Sequence, residues 1–280
     1  MIYFSMGYWV LALAAIVSAS GAAVGLACIR QSTKSVTARF RYVWLFVAGC
    51  SIGGVGVAMP IFVLLLGVGA KGSQIRYDNT SIILFSTLSG MTVLAALIVV
   101  GRTLNTVRLA VGTAIMATGL GSIEVLMLAA MRVQGSVNHN PLAYIAVYAI
   151  AILVSAATLW FSLTVRSQFL LAGGAMLYAL AVIGMTYSGL AGLSFDIDPA
   201  AAAPPGVDLF TWFVPTFIIG TLSLAVPITA ILVAPDRREA NLVPAMSQPG
   251  SAPRTPTPAE RHPESTETRV PLLTHDSMMR

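Results

Sequence analysis

Seven stretches of this chain are each long and apolar enough to cross a bilayer as a helix, and six of them contain no Asp, Glu, Lys or Arg. A hydrocarbon core about 30 Å thick needs about 20 apolar helical residues. The stretches cover residues 8–29, 42–69, 80–100, 109–131, 142–164, 169–194 and 210–234. The fourth carries a single carboxylate, Glu124. None alternates polar and apolar residues with period two, which excludes a transmembrane barrel. Only 10% of the 280 residues are charged, against roughly a quarter in a soluble domain, so the chain cannot cover a water-facing surface. It reads as an all-α integral membrane protein of seven helices. A soluble enzyme, a secreted disulfide scaffold and a nucleic-acid-binding domain are excluded. The net charge of +5 does not alter this, because the charges sit in loops and a tail. Cys28 and Cys50 lie near the same end of adjacent stretches and read as small buried hydrophobes.

Lysine and arginine set the expected orientation. Arg30, Lys34, Arg39 and Arg41 fill the first connection, Arg102 and Arg108 the third, Arg166 the fifth, and Arg237 and Arg238 follow the seventh helix. The other side has Lys71, Arg76 and Arg132, with Asp196, Asp198 and Asp208 in an acidic loop. The positive-inside rule then puts the N-terminus outside and the C-terminus in the cytoplasm. The first stretch has no basic residues before it, and its positive charge follows it. It reads as a retained helix rather than a cleaved signal, with Tyr8 and Trp9 at the outer interface.

This organisation divides the chain into a short outer N-terminus (1–7), a six-helix membrane domain (8–195), an acidic outer loop (196–209), a seventh helix (210–234) and a tail (235–280). The tail is rich in Pro, Ser, Thr and charge and reads as a disordered cytoplasmic segment. Thr255 and Thr257 in it are candidate phosphorylation sites. Pro215 and Pro227 predict a kinked or broken seventh helix.

Three segments of the membrane domain look alike. They are centred on Met59-Pro60-Ile61-Phe62, on Ile123-Glu124-Val125-Leu126-Met127, and on Met185-Thr186-Tyr187-Ser188. Aligned on Pro60, Glu124 and Thr186, they lie 64 and 62 residues apart, so each unit is a pair of helices. Pairing keeps every unit in one orientation and puts all three positions on helices that run outward. Each is seven to nine residues from the outer end of its stretch, or about 10–14 Å at 1.5 Å per residue. A three-fold-like site in the outer leaflet is therefore expected.

In this pattern the chain resembles the MHYT family of bacterial membrane sensors, named for a Met-His-Tyr-Thr motif carried once per helix pair. The resemblance covers about residues 8–194. It implies three two-helix repeats, with a seventh helix added here, and a copper site built from motif His and Met residues near the outer face. It also implies gas or redox sensing, and an association with cyclic di-GMP output domains. The motif histidine positions here hold Pro60, Glu124 and Thr186; the histidines of the chain are His139, His262 and His275. No cofactor is therefore expected, copper included.

The candidate site residues are Met59, Pro60, Glu124, Met127, Met185, Thr186, Tyr187 and Ser188. Glu124 carries most weight, since an intramembrane carboxylate costs about 2.5–3.5 kcal/mol to insert and marks a functional site by default. It would coordinate a cation, take up a proton or bind a small ligand. Alternatively it bonds structurally to a hydroxyl among Thr186, Tyr187 and Ser188. The methionines read first as adaptable core filler. Glycines 53, 54, 56, 119 and 121 favour close helix approach. Lys34 and Lys71 both lie in loops, which excludes a Schiff base in the seventh helix. The expected function is a non-enzymatic sensory or regulatory component of the bacterial cytoplasmic membrane, in contact with lipid and a protein partner. The alternatives are a transporter or channel component using Glu124, or a structural subunit of a membrane complex.

Overall fold

In hydrocarbon, every backbone N–H and C=O must find its partner within the protein, which makes each apolar stretch a helix. The computed structural model describes residues 6–70, 72–165 and 167–233. Among these are seven helices long and apolar enough to cross a membrane: α1 (Trp9–Lys34), α2 (Ala38–Leu66), α3 (Asn79–Val100), α4 (Thr106–Ala129), α5 (Pro141–Thr164), α6 (Gln168–Ala191) and α7 (Leu209–Val233). The chain is a multi-pass membrane protein. The tail with Thr255 and Thr257, and the basic residues Lys71 and Arg166, lie outside the described residues.

Helices α1 to α6 each pack on the next, and α6 closes back onto α1. Helix α7 leans from outside on α1 and α2. Helix α2 buries most of its surface, while α7 buries little. The helix ends differ from the apolar stretches in a systematic way. At the end that holds Arg30, Lys34, Arg39, Arg41, Arg102 and Arg108, α1 and α2 run on through basic residues, whose long stems let the charged heads reach the interface. At the opposite end α4 and α6 stop early, because the residues that follow are recruited into strands.

Those strands are a feature the apolar pattern did not predict. β1 (Arg76–Tyr77) pairs antiparallel with β2 (Met131–Arg132), and β3 (Gly135–His139) with β4 (Leu193–Ile197). Tyr77 also bridges to Val207. The α2–α3, α4–α5 and α6–α7 connections are thus knitted into one cap. The expected acidic loop is therefore partly strand. Gln134 ties all three connections: its N–H donates to the Ser73 hydroxyl at 2.9 Å, its side-chain amide to the Ala201 carbonyl at 2.6 Å, and its carbonyl accepts from the Asp198 N–H at 3.1 Å. Gly206, at φ +131°, lies so close to the Tyr77 carbonyl that any side chain would collide with it. Three helices leave the cap through side-chain N-caps. Asp78 starts α3, Asn140 starts α5 ahead of Pro141, and Asp208 starts α7.

Helix α2 is the irregular one. Residues Cys50–Ala58 form a π-helix between two α-helical segments, with the Met59 N–H reaching back five residues to the Gly54 carbonyl. Pro60, two residues past the π-helix, has no N–H of its own to give to the turn before it. The buried hydroxyl of Ser18 on α1 donates to the Gly56 carbonyl in that turn, at 2.7 Å. The Tyr178 hydroxyl on α6 donates to the Ile52 carbonyl at 3.4 Å. The glycine run makes such a wide turn affordable, because backbones can meet there: a Cβ on Gly53 would land on the carbonyl of Ser89 in α3. Of the kink or break expected in α7, the break does not occur. That helix continues through both Pro215 and Pro227, since each proline removes only one N–H, and membrane helices tolerate that loss.

Candidate functional site

Glu124 lies five residues before the end of α4, and Thr186 five before the end of α6. This puts both about 8 Å below the helix ends at 1.5 Å per residue, shallower than the apolar stretches implied because both helices end early. Both side chains are 0% exposed. The Thr186 hydroxyl donates to Glu124 Oε2 at 3.3 Å. Glu124 Oε1 has no hydrogen-bond partner. It lies beside Gly189, one turn along α6, where an added Cβ would be in ordinary contact with that oxygen and would clash with Leu128 instead. The expected pairing between the fourth and sixth helices is thus present, with Thr186 as the partner.

The remaining candidates divide. Met127 and Met185 are buried in the main core together with Phe62 and Phe85, whose rings meet edge to face at 5.3 Å. Ser188 turns its hydroxyl to the Gly184 carbonyl of its own helix, at 2.7 Å. Tyr187 packs between the main core and a smaller cluster of Val10, Ala14, Val63, Leu64 and Ile183. Met59 belongs to neither. It packs with Val17, Val55 and Leu224, and its thioether lies against Gly220 of α7. The eight residues therefore do not form one constellation: Met59 serves the contact between α2 and α7. Pro60 is buried and offers neither an N–H nor a polar side chain.

The donor set does not fit the copper centre that the family resemblance implies. Pro60 offers no ligand, Glu124 and Thr186 offer hard oxygens where thioether or imidazole is wanted, and Met59 sits in a separate cluster. Among the described residues, no three His, Cys, Asp or Glu side chains come together. His139 is in β3, where its Nδ1 lies 2.6 Å from the Tyr144 hydroxyl. What the geometry offers is a buried carboxyl with one neutral hydrogen bond and one open oxygen. Such a group can receive a proton or a donor from a small ligand.

A second orphan lies in the cap. Tyr77 is 2% exposed and its hydroxyl has no hydrogen-bond partner. Burial, reinforced by the nearby Asp208 carboxylate, pushes its phenol above the usual range. Tyr77 is a buried cap residue, and the Trp212 indole donates to Asn79 Oδ1 at 2.8 Å, pinning the start of α7 to that of α3. The π-helix also went unpredicted; the glycine run ending in Pro60 was its only sequence signal.

No family model matches the chain, and no solved structure matches it. It is similar to the bifunctional diguanylate cyclase/cyclic di-GMP phosphodiesterase MucR of Pseudomonas aeruginosa, with 27% identity over 168 residues. That match takes in 54% of this chain and 24% of the relative, so the chain spans about a quarter of the length of the protein it matches. The chain is a multi-pass membrane protein distantly similar to that relative.

Proposed function

We propose that this chain is a non-enzymatic sensory or regulatory membrane component, a degenerate relative of the MHYT sensors whose ring of six helices is three copies of a helix pair. It resides in a bacterial cytoplasmic membrane with its capped end outside. The observation that carries this reading is the bond between Glu124 and Thr186, a fully buried contact that joins α4 to α6 and leaves one carboxyl oxygen open. The distant similarity supports it. The matched stretch is long enough that it must include spanning helices, and a lipid-embedded bundle is not where a cyclase holds its nucleotide. What is shared with a cyclic di-GMP enzyme is then membrane architecture, which fits a sensory part that hands its signal to a protein partner.

A route for the signal follows from packing. A change at Glu124 and Thr186 shifts α6, where Ile183 and Tyr187 pack on Val63 and Leu64 of α2. Met59, one turn back along α2, lies against Gly220 of α7. Helix α7 then moves against the bundle and carries the change to the segment that follows it.

The test is a pair of measurements on the full chain in proteoliposomes. Distances between spin labels on the exposed residues Ile152 of α5 and Ile218 of α7 should differ between wild type and Glu124→Gln, and neither protein should carry proton or cation flux above empty liposomes. A flux in wild type that Glu124→Gln abolishes would replace the sensory reading with the transporter reading, which the buried carboxyl also favours.

A further inference from the structure

The wall formed by α1, α2, α5 and α6 contains a lateral groove of about 240 Å³. Ala22 and Leu26 of α1, Ile52 of α2, Ala157 of α5, and Gly174 and Tyr178 of α6 line it. Its rim residues Leu153 and Leu177 are 70% and 65% exposed, so it opens sideways towards lipid. The gap exists because four of its lining residues, Ala22, Ala157, Gly174 and Ala181, are small. The hydroxyls at its walls are already used: Tyr178 donates to the Ile52 carbonyl, and Thr158 donates to the Val154 carbonyl at 2.7 Å. Nothing in the groove asks for a polar solute. A void this size would forfeit dispersion contacts along every wall, and what stands at its open side is hydrocarbon.

One end of the groove is not apolar. Leu26 lines it, and Arg30 follows one helical turn later on the same face of α1. Phe161 lines it, and Val165, four residues later, caps the end of α5. There Arg30 Nη2 donates to the Val165 carbonyl at 2.8 Å and to the Ser167 carbonyl at 3.2 Å. A guanidinium has five N–H donors, so these two bonds leave donors for a further acceptor. The charge thus stands at the headgroup level of the basic end, at the top of an apolar slot that runs about 12 Å, from Phe161 to Leu153, at 1.5 Å per residue.

We propose that this groove is a binding site for one anionic phospholipid, with an acyl chain between α5 and α6 and the phosphate at Arg30. The inner wall of the site is Ile52, within the π-helix, so the bound chain touches the irregular part of α2. The site shares no residue with the Glu124 contact and stands or falls independently of it.

Native mass spectrometry of the full purified chain, titrated with phosphatidylglycerol or with phosphatidylcholine of the same acyl chains, tests the site. Wild type should bind one phosphatidylglycerol about fivefold more tightly than phosphatidylcholine, the preference expected for one basic residue at a membrane surface. Ala157→Trp fills the groove from its exposed rim and should remove that binding. Arg30→Gln should make the two lipids equal, and Arg30→Lys should restore the preference. Inorganic phosphate should not displace the lipid. The proposal is overturned if wild type binds both lipids equally, or if Arg30→Gln keeps the preference. Displacement by free phosphate would indicate a simple anion site, and a dimer lost in Ala157→Trp would make a second copy of the chain the occupant; either result overturns it too.

Discussion

The hydroxyl of Ser18 on α1 donates to the carbonyl of Gly56 on α2 at 2.7 Å, one turn ahead of Pro60, which has no N–H to give. Removing the hydroxyl leaves a buried carbonyl unsatisfied, which costs about 1–3 kcal/mol. Ser18→Ala should therefore destabilise the protein by about that amount in detergent unfolding. Pro60→Ala returns an amide N–H to the helix, so Ser18→Ala should cost less in that background. An equal cost in both backgrounds would mean that the hydroxyl does not substitute for the missing donor.

The bond from Thr186 to Glu124 links two helices in a dry interior. Hydrogen bonds between membrane helices average about 0.6 kcal/mol and reach about 1.7. Thr186→Val should cost an amount in that range, and Thr186→Ser should recover most of it. In a Glu124→Leu background the cost of Thr186→Val should vanish. A double-mutant cycle by unfolding measures the coupling directly.

Neighbouring glycines in α2 should behave in opposite ways. A Cβ on Gly53 would land on the Ser89 carbonyl, while one on Gly54 meets nothing within 4 Å. Gly53→Ala forces backbone against backbone between α2 and α3 and should cost about 3 kcal/mol, at the upper end of overpacking. Gly54→Ala should be neutral or slightly stabilising, as alanine is the better helix former. Comparing their yields of folded protein and melting temperatures decides the matter.

The start of α3 should weaken in acid. Ser81 donates both its backbone N–H and its hydroxyl to Asp78 Oδ2, each at 2.9 Å. These bonds, aided by Arg132, hold the Asp78 carboxyl below its ordinary value of 3.8. A carboxyl lowered by folding contributes its full stability above the ordinary value and loses it as the pH falls through the lowered one. Below about pH 4 the melting temperature of wild type should therefore fall more steeply than that of Asp78→Asn, which keeps a capping oxygen but does not titrate. Parallel curves for the two proteins would remove Asp78 from the pH response.

Much of this molecule was legible in its sequence. Seven uncharged or nearly uncharged stretches leave the backbone no choice but helix, and the simple alternation of spanning helices puts every second connection at the same end of the bundle. Glu124 stood out for the same reason, because a carboxylate among apolar residues has to meet a polar partner, and Thr186 was among the three hydroxyls nominated. These outcomes rest on local chemistry and chain alternation, both of which are one-dimensional. Tertiary structure alone decided where side chains turn around each helix. It put Met59 against α7 rather than beside Glu124, wove three connections into a strand-paired cap around Gln134, and opened a groove where small residues from different helices coincide. It also placed the irregularity in α2 and left α7 continuous. A proline states only that one N–H is missing. Whether the helix bends, breaks or becomes a π-turn depends on which neighbours are near enough to satisfy the carbonyls around it.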